Sequence, residues 1–251
     1  MIVEYFRPQS IDETLDLIAH QKMNTVVMGG GTAIDRFNTV PFAVVDLQDV
    51  GLGNLRAKGN FLEVGATVTL QSLYEETRIQ EVLKETILRE ATQNLRQVAT
   101  VAGTLVASDG RSPFTSALLA LDASVTLLPG GENISLGDLL IMRENKLRSK
   151  LIVKITIPMN VQLAYEDVAR TPADLPIVCA ALAVWPAGRT RVILGGFGEV
   201  PILASDGPER GGEEAAVADA YSHAGDQWAS AAYRQEIAPV LVKRCFSRLI
   251  E

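Results

Sequence analysis

The run Thr25-Val26-Val27-Met28-Gly29-Gly30-Gly31-Thr32 constrains this chain more than any other stretch. Residues suited to a buried strand end in three glycines, followed by a hydroxyl residue and a helix start expected over 33–37. Glycine reaches φ > 0 without penalty and lets another group approach the backbone where a Cβ would stand. Successive N–H groups in such a turn form a concavity that suits an anion, and Thr32 adds a hydroxyl. On this reading a valine at Gly30 would block the ligand and leave the fold intact. A tight strand-to-helix turn with no ligand is the equally open alternative. The turn is not of the nicotinamide-binding Rossmann type, because Ile34 stands where the third glycine of G-x-G-x-x-G belongs.

A chain of 251 residues, 47% hydrophobic and 21% charged, can bury a substantial core. A net charge of −7 argues against broad nucleic-acid binding. Arg143, Lys146, Arg148 and Lys150 form a mild basic cluster that reads as a solvated loop. No apolar run approaches the ~20 residues of a membrane span. Met1–Pro8 lacks the basic and apolar regions of a signal peptide, which makes the cytoplasm the default expectation. Cys179 and Cys245 are the two thiols, each inside an apolar stretch, and read as small buried hydrophobes. With His20 and His223 they offer no C-x-x-C and no H-x-x-x-H, which argues against structural zinc. Two thiols also fall short of the four that an iron–sulfur cluster normally takes. No nucleophile–base pair stands out, so no catalytic side chain and no metal ligand is assigned.

In chain order, Ser10 and Glu13 form a capping-box pattern ahead of a first helix. A strand over 25–28, a short buried strand near 42–47 and that helix make an α/β unit of about residues 1–55. Residues 51–59 are polar and turn-rich, and Thr69 can cap a helix through Tyr74. A helix near 80–91 buries Val82, Leu83, Thr86 and Ile87, and its acids and bases are expected to face solvent. Residues 98–113 are small and hydroxyl-rich, which suggests backbone close to another element or a ligand. A helix over 115–123, a hairpin about Pro129-Gly130-Gly131 and an alternating strand over 152–157 come next. The break at Pro158-Met159-Asn160 is the expected domain boundary. Beyond it come strands over 178–185 and 191–195, a hydrophilic loop over 205–212, a short helix and a long one. In the last, Tyr233, Ile237, Leu241, Cys245 and Leu249 recur every four residues.

This order of motifs resembles the flavin-binding subunit of the molybdenum hydroxylases, the xanthine dehydrogenase and carbon monoxide dehydrogenase family. Tyr5-Phe6-Arg7-Pro8-Gln9-Ser10 is similar to the family's opening, and Val27-Met28-Gly29-Gly30-Gly31-Thr32 to its pyrophosphate turn. Thr100-Val101-Ala102-Gly103-Thr104 sits where the family has Thr-Ile-Gly-Gly-Asn, and Leu118–Ala123 matches the family's next stretch. Ala231–Arg234 and Val240–Arg244 resemble the closing helix. The chain departs from the pattern at Ala102 and Thr104, and Pro113 takes the place of a frequent aspartate.

The resemblance implies an α+β fold. Residues 1–158 would be a two-subdomain FAD-binding domain of the vanillyl-alcohol oxidase-like type, with subdomains of about 1–55 and 56–158. Residues 159–251 would form a smaller C-terminal α/β domain. FAD would contact Val27, Met28, Gly29, Gly30, Gly31, Thr32 and Ala33, and a second loop with Thr100, Gly103, Thr104, Ser108 and Asp109 would run along the ribityl chain. The partners implied are a molybdopterin-binding large subunit and a small [2Fe–2S] subunit, with NAD or another electron acceptor. The competing readings are a structural or assembly subunit that has lost FAD, and a stand-alone flavin reductase.

Overall fold

The computed structural model describes residues 1–19, 24–34, 40–208 and 213–249. The chain divides into two compact units. The first comprises residues 1–76, 93–107 and 124–157, the second 77–92, 108–123 and 158–251. From Pro158, where the sequence places a boundary, the chain stays in the second unit. That unit also draws in two earlier segments that sequence reasoning assigns to the N-terminal domain.

The chain opens with β1 (Ile2–Phe6), α1 (Ile11–Ala19), β2 (Thr25–Met28) and β3 (Phe42–Asp46). The strands pair in parallel in the order β1-β3-β2. The central position of β3 explains why all five of its residues are buried, as expected for a strand with both edges paired and both faces covered. Ser10 Oγ accepts the Glu13 N–H at 3.2 Å, while the Glu13 carboxylate reaches the Gln9 N–H at 2.8 Å instead of that of Ser10. The capping box therefore closes one residue earlier than its usual form.

Next come β4 (Leu55–Lys58), β5 (Phe61–Gly65), α2 (Leu70–Tyr74), α3 (Glu81–Glu90), α4 (Gln93–Arg96), α5 (Val101–Ala107) and α6 (Pro113–Ala120). Thr69 caps α2 as expected, accepting the Ser72 N–H at 3.1 Å. The stretch 51–59, read as polar and turn-rich, contains β4. The hairpin is β6 (Ser124–Leu128) and β7 (Glu132–Ser135), and α7 (Leu136–Ile141) and α8 (Arg143–Lys146) lead into β8 (Leu151–Pro158). These strands give the first unit a second sheet, ordered β4-β5-β8-β6-β7.

In the second unit β9 (Gln162–Val168), β10 (Val178–Val184), β11 (Thr190–Gly195) and β12 (Ile202–Gly207) form an antiparallel sheet in the order β12-β11-β10-β9. Part of the expected 205–212 loop is thus strand, and 209–212 lie outside the described residues. The helices α9 (Glu213–Ala220) and α10 (Ala231–Arg248) complete the unit. Val178, Ala180, Leu182, Val192 and Leu194 from the sheet share one core cluster with Tyr221, Ala238, Leu241 and Cys245. The buried face of α10 runs through Arg234, Ala238, Leu241 and Cys245, whereas Tyr233 is exposed. Ile237, Leu241, Cys245 and Leu249 of the stripe read from sequence lie in or against that core, and Tyr233 drifts off it because a strict four-residue repeat turns around a helix of 3.6 residues per turn.

Arg234 is tolerated inside because every donor is used. Its Nε donates to Ile177 O (2.9 Å), Nη1 to the Ala224 and Ala229 carbonyls, and Nη2 to Gly196 O (3.1 Å) and the Asp226 carboxylate (2.9 Å). Burial opposes ionisation of Asp226, but the Ala229 N–H and the Arg234 guanidinium together hold its pKa below the usual value. All eight residues of α6 are buried, so its N-terminus needs an internal cap. Ser112 supplies one. The Glu90 carboxylate supplies another, accepting the Ser112 hydroxyl at 2.7 Å and the Phe114 N–H at 3.1 Å. This corrects the expectation that the charges of α3 are all solvated, and burial raises the Glu90 pKa. Among the described residues no helix is long and apolar enough to cross a membrane.

Candidate functional site

The glycine turn leaves the parallel sheet at Met28, which is level with Asp46 of β3 and accepts the Leu47 N–H at 2.9 Å. Its three glycines answer two different demands. A Cβ on Gly30 would stand 1.6 Å from Val98 O, and one on Gly29 would stand 2.5 Å from Thr100 Oγ1. Both positions are therefore glycine because the 98–100 segment lies against them, with its backbone at Gly30 and the Thr100 side chain at Gly29. Only Gly31 takes a positive φ, +70°. The expectation that Gly30 clears space for a ligand is thus revised, since the chain itself fills that space. The turn closes with Ile34 N–H donating to Gly31 O at 3.4 Å. Residues 35–39, where the expected helix would continue, lie outside the described residues. Among the described residues the N–H groups of Gly30, Gly31, Thr32 and Ala33 meet no acceptor.

The segment facing those glycines runs into helix α5, where a loop was expected. Leu70 N–H donates to Ala99 O and Val101 N–H to Val68 O, each at 2.8 Å, and Thr69 and Thr100 form an isolated antiparallel bridge. This clip places Thr100 at the start of α5. Its Oγ1 accepts the Gly103 N–H at 3.1 Å, and a Cβ on Gly103 would lie 2.8 Å from that oxygen. The Thr104 hydroxyl donates back to Thr100 O at 2.9 Å. Ser108 and Asp109 belong to the second unit. There the Ser108 hydroxyl accepts from Thr115 at 2.9 Å, and Asp109 accepts the Arg111 N–H at 2.8 Å.

Within the first unit, the turn and the start of α5 open onto one cavity of about 780 Å³, in the size range of cofactor sites. Val27, Met28, Gly29, Gly30, Gly31, Thr32, Ala33, Thr100 and Gly103 line it, so nine of the residues singled out from sequence come together. Thr104 is not among the lining residues. Ala66, Ala102, Val106 and Ala107 add an apolar wall, and the stretch from Leu147 to Ile152 forms another.

That last wall contains part of the basic cluster read as a solvated loop. Arg148 and Lys150 line the cavity. Arg143 instead closes the C-terminal end of α5, donating to Val106 O at 3.0 Å. Lys146 (2.7 Å) and Lys150 both pair with Glu132. The ammonium of Lys146, joined by that of Lys150, holds the Glu132 carboxyl at about 2. Sequence spacing could not show this, because Glu132 stands on the other side of α7. The two cysteines are buried, and desolvation pushes the Cys179 thiol up to about 12. Neither is a thiolate at neutral pH.

Unpartnered N–H groups, a hydroxyl-bearing helix start, apolar walls and cations fit a nucleotide with a phosphate bridge better than a neutral metabolite. Residues 1–160 match the family described as the FAD binding domain in molybdopterin dehydrogenase. The chain is 29% identical over 248 residues to the uncharacterized protein YgfM of Escherichia coli (strain K12), covering 96% of this chain and 94% of that one. It is 26% identical to the 6-hydroxypseudooxynicotine dehydrogenase complex subunit alpha of Paenarthrobacter nicotinovorans, covering 81% and 75%. A chain of the reconstituted CO dehydrogenase from Oligotropha carboxidovorans superposes with a TM-score of 0.81 at 22% identity, covering 98% and 96%, which shows a shared fold. With well over half of its length matched, the chain belongs to the FAD-binding family of the molybdopterin dehydrogenases, as an oxidoreductase flavoprotein subunit.

Proposed function

We propose that this chain is the electron-transfer subunit of a molybdenum hydroxylase complex, working beside a molybdopterin-binding large subunit and a small [2Fe–2S] subunit. The observation that carries the reading is the row of N–H groups from Gly30 to Ala33, unpartnered in the described chain and opening onto a cavity of about 780 Å³. On this reading those N–H groups, free of any acceptor among the described residues, hold the diphosphate. Thr100 and Gly103 bound the same space, and the apolar wall of Ala66, Ala102 and Val106 excludes water from the less polar part of the ligand. Thr104, Ser108 and Asp109 are left outside the contact set, since their side-chain oxygens already bond Thr100, Thr115 and Arg111. Bound FAD supplies the chemistry, exchanging electrons between the partner's iron–sulfur clusters and NAD or another acceptor. The chain's own task is to bind, orient and shield.

The purified chain is expected to show flavin absorbance and to co-purify with its two partner chains when co-expressed. It should oxidise no substrate by itself. A colourless, folded chain that assembles with the partners would favour the assembly-subunit reading. Substrate oxidation without any partner would defeat the proposal.

A further inference from the structure

The wall of the cavity that carries Arg148 is built on a turn. Lys150 N–H donates to Leu147 O at 3.1 Å, closing that turn over 147–150. Ser149, within it, has a φ of 56°, a left-handed conformation uncommon for a residue with a Cβ. Such a conformation carries a cost and persists where its surroundings impose it. Here both flanks are held. Lys146 before the turn and Lys150 at its end grip the same carboxylate, Glu132. The outcome is selective neutralisation, in which one carboxylate offsets much of the charge of two lysines. Arg148, between them, has no hydrogen bond or ion pair among the described residues and lines the cavity. Glu144 also lines it, and is the carboxylate that any bound anion would have to tolerate.

We propose that Arg148 is a binding residue for the diphosphate of the bound nucleotide, opposing the N–H groups of Gly30–Ala33 with a full positive charge. The inference rests on the reading that this cavity takes a dinucleotide. The two sets of donors are complementary. Backbone N–H groups fix position but add only partial charge, whereas a guanidinium supplies a whole charge and a planar fork suited to phosphate oxygens. An acidic protein, at −7 overall, gains most from such a local cation, because its general field repels a nucleotide. Arg148 is exposed and its loss strands no internal partner, so its replacement leaves the fold intact.

The test compares wild type, Arg148→Gln and Arg148→Lys in the full chain, titrated with FAD and separately with ADP, at about 50 mM and about 500 mM salt. Arg148→Gln is expected to weaken both ligands by about threefold to tenfold at the lower salt. The gap should close at the higher salt, and Arg148→Lys should recover most of it, with melting temperatures equal throughout. Equal affinities of wild type and Arg148→Gln at low salt would overturn the inference. So would a loss that high salt leaves unchanged and Lys does not rescue. A chain that refuses FAD yet binds ADP through Arg148 would sink the flavin reading and keep this one. A wild type that binds neither ligand would overturn both.

Discussion

Gly30→Ala tests whether the glycine turn is built for a ligand or for its own backbone. The added Cβ would stand 1.6 Å from Val98 O, 2.5 Å from Val98 C and 3.2 Å from Ala99 N. Relief requires a retreat of more than an ångström by backbone, not by a flexible side chain. That backbone is pinned. Val98 and Ala99 N–H both donate to Leu95 O, and Ala99 O and Val101 N–H hold the clip to Leu70 and Val68 at 2.8 Å. Breaking the clip forfeits two hydrogen bonds at about 1 kcal/mol each, and a stranded buried group adds up to about 2 kcal/mol. The expected destabilisation is about 2–4 kcal/mol, from a total of roughly 5–15 kcal/mol. For a chain of this size that lowers the melting temperature by roughly 5–15 °C.

Gly31→Ala is the internal control. There the cost is the positive φ, about 1–2 kcal/mol, and the nearest atom is the movable Met28 Sδ at 3.2 Å. Thermal unfolding of the flavin-free chains, followed by circular dichroism, should rank Gly30→Ala as the more damaged. A Gly30→Ala chain that melts with wild type but loses FAD would refute the argument and restore ligand clearance as the reason for the glycine.

Arg234→Met should cost about 3–5 kcal/mol in a urea titration, because Asp226 is left a half-buried charge without its cation and buried carbonyls lose their donor. Thr104→Val should leave FAD affinity within about twofold of wild type, since the hydroxyl is spent on Thr100 O. A tenfold loss would return Thr104 to the site. Glu90 has a folded-state pKa raised by burial above its ordinary 4.5, so between those two values the native state binds more protons than the unfolded chain. Wild type therefore loses this contribution as pH rises through that window. Glu90→Gln, measured by denaturation from pH 4 to 8, should flatten the slope, and an unchanged slope would show that Glu90 ionises normally.

The features legible in the sequence and those hidden from it divide along a physical line. β3 was legible because a run buried on both faces needs no partner to declare itself, β2 because its β-branched run ends in a glycine turn, and Thr69 because capping is local. Glycine at 29–31 announced a special backbone but not its cause. The same residue type serves close approach at Gly30 and left-handed φ at Gly31, and only the position of Val98 separates them. The small residues of 98–107 posed the same ambiguity in a longer form. Val101–Ala107 became a helix because Val68 and Leu70 clip its start, a contact some thirty residues away in the chain. Charges were the least legible. Glu90, Glu132 and Arg234 each look like a solvated surface residue, and each is defined by partners from another element: Ser112 and Phe114, two lysines beyond α7, and four carbonyls with Asp226. Lys146 and Lys150 are spoken for by Glu132, and that pairing is what leaves Arg148 with its charge available to the cavity. A basic cluster becomes a site or a solvated loop according to which of its members already has a carboxylate, and sequence order does not record that.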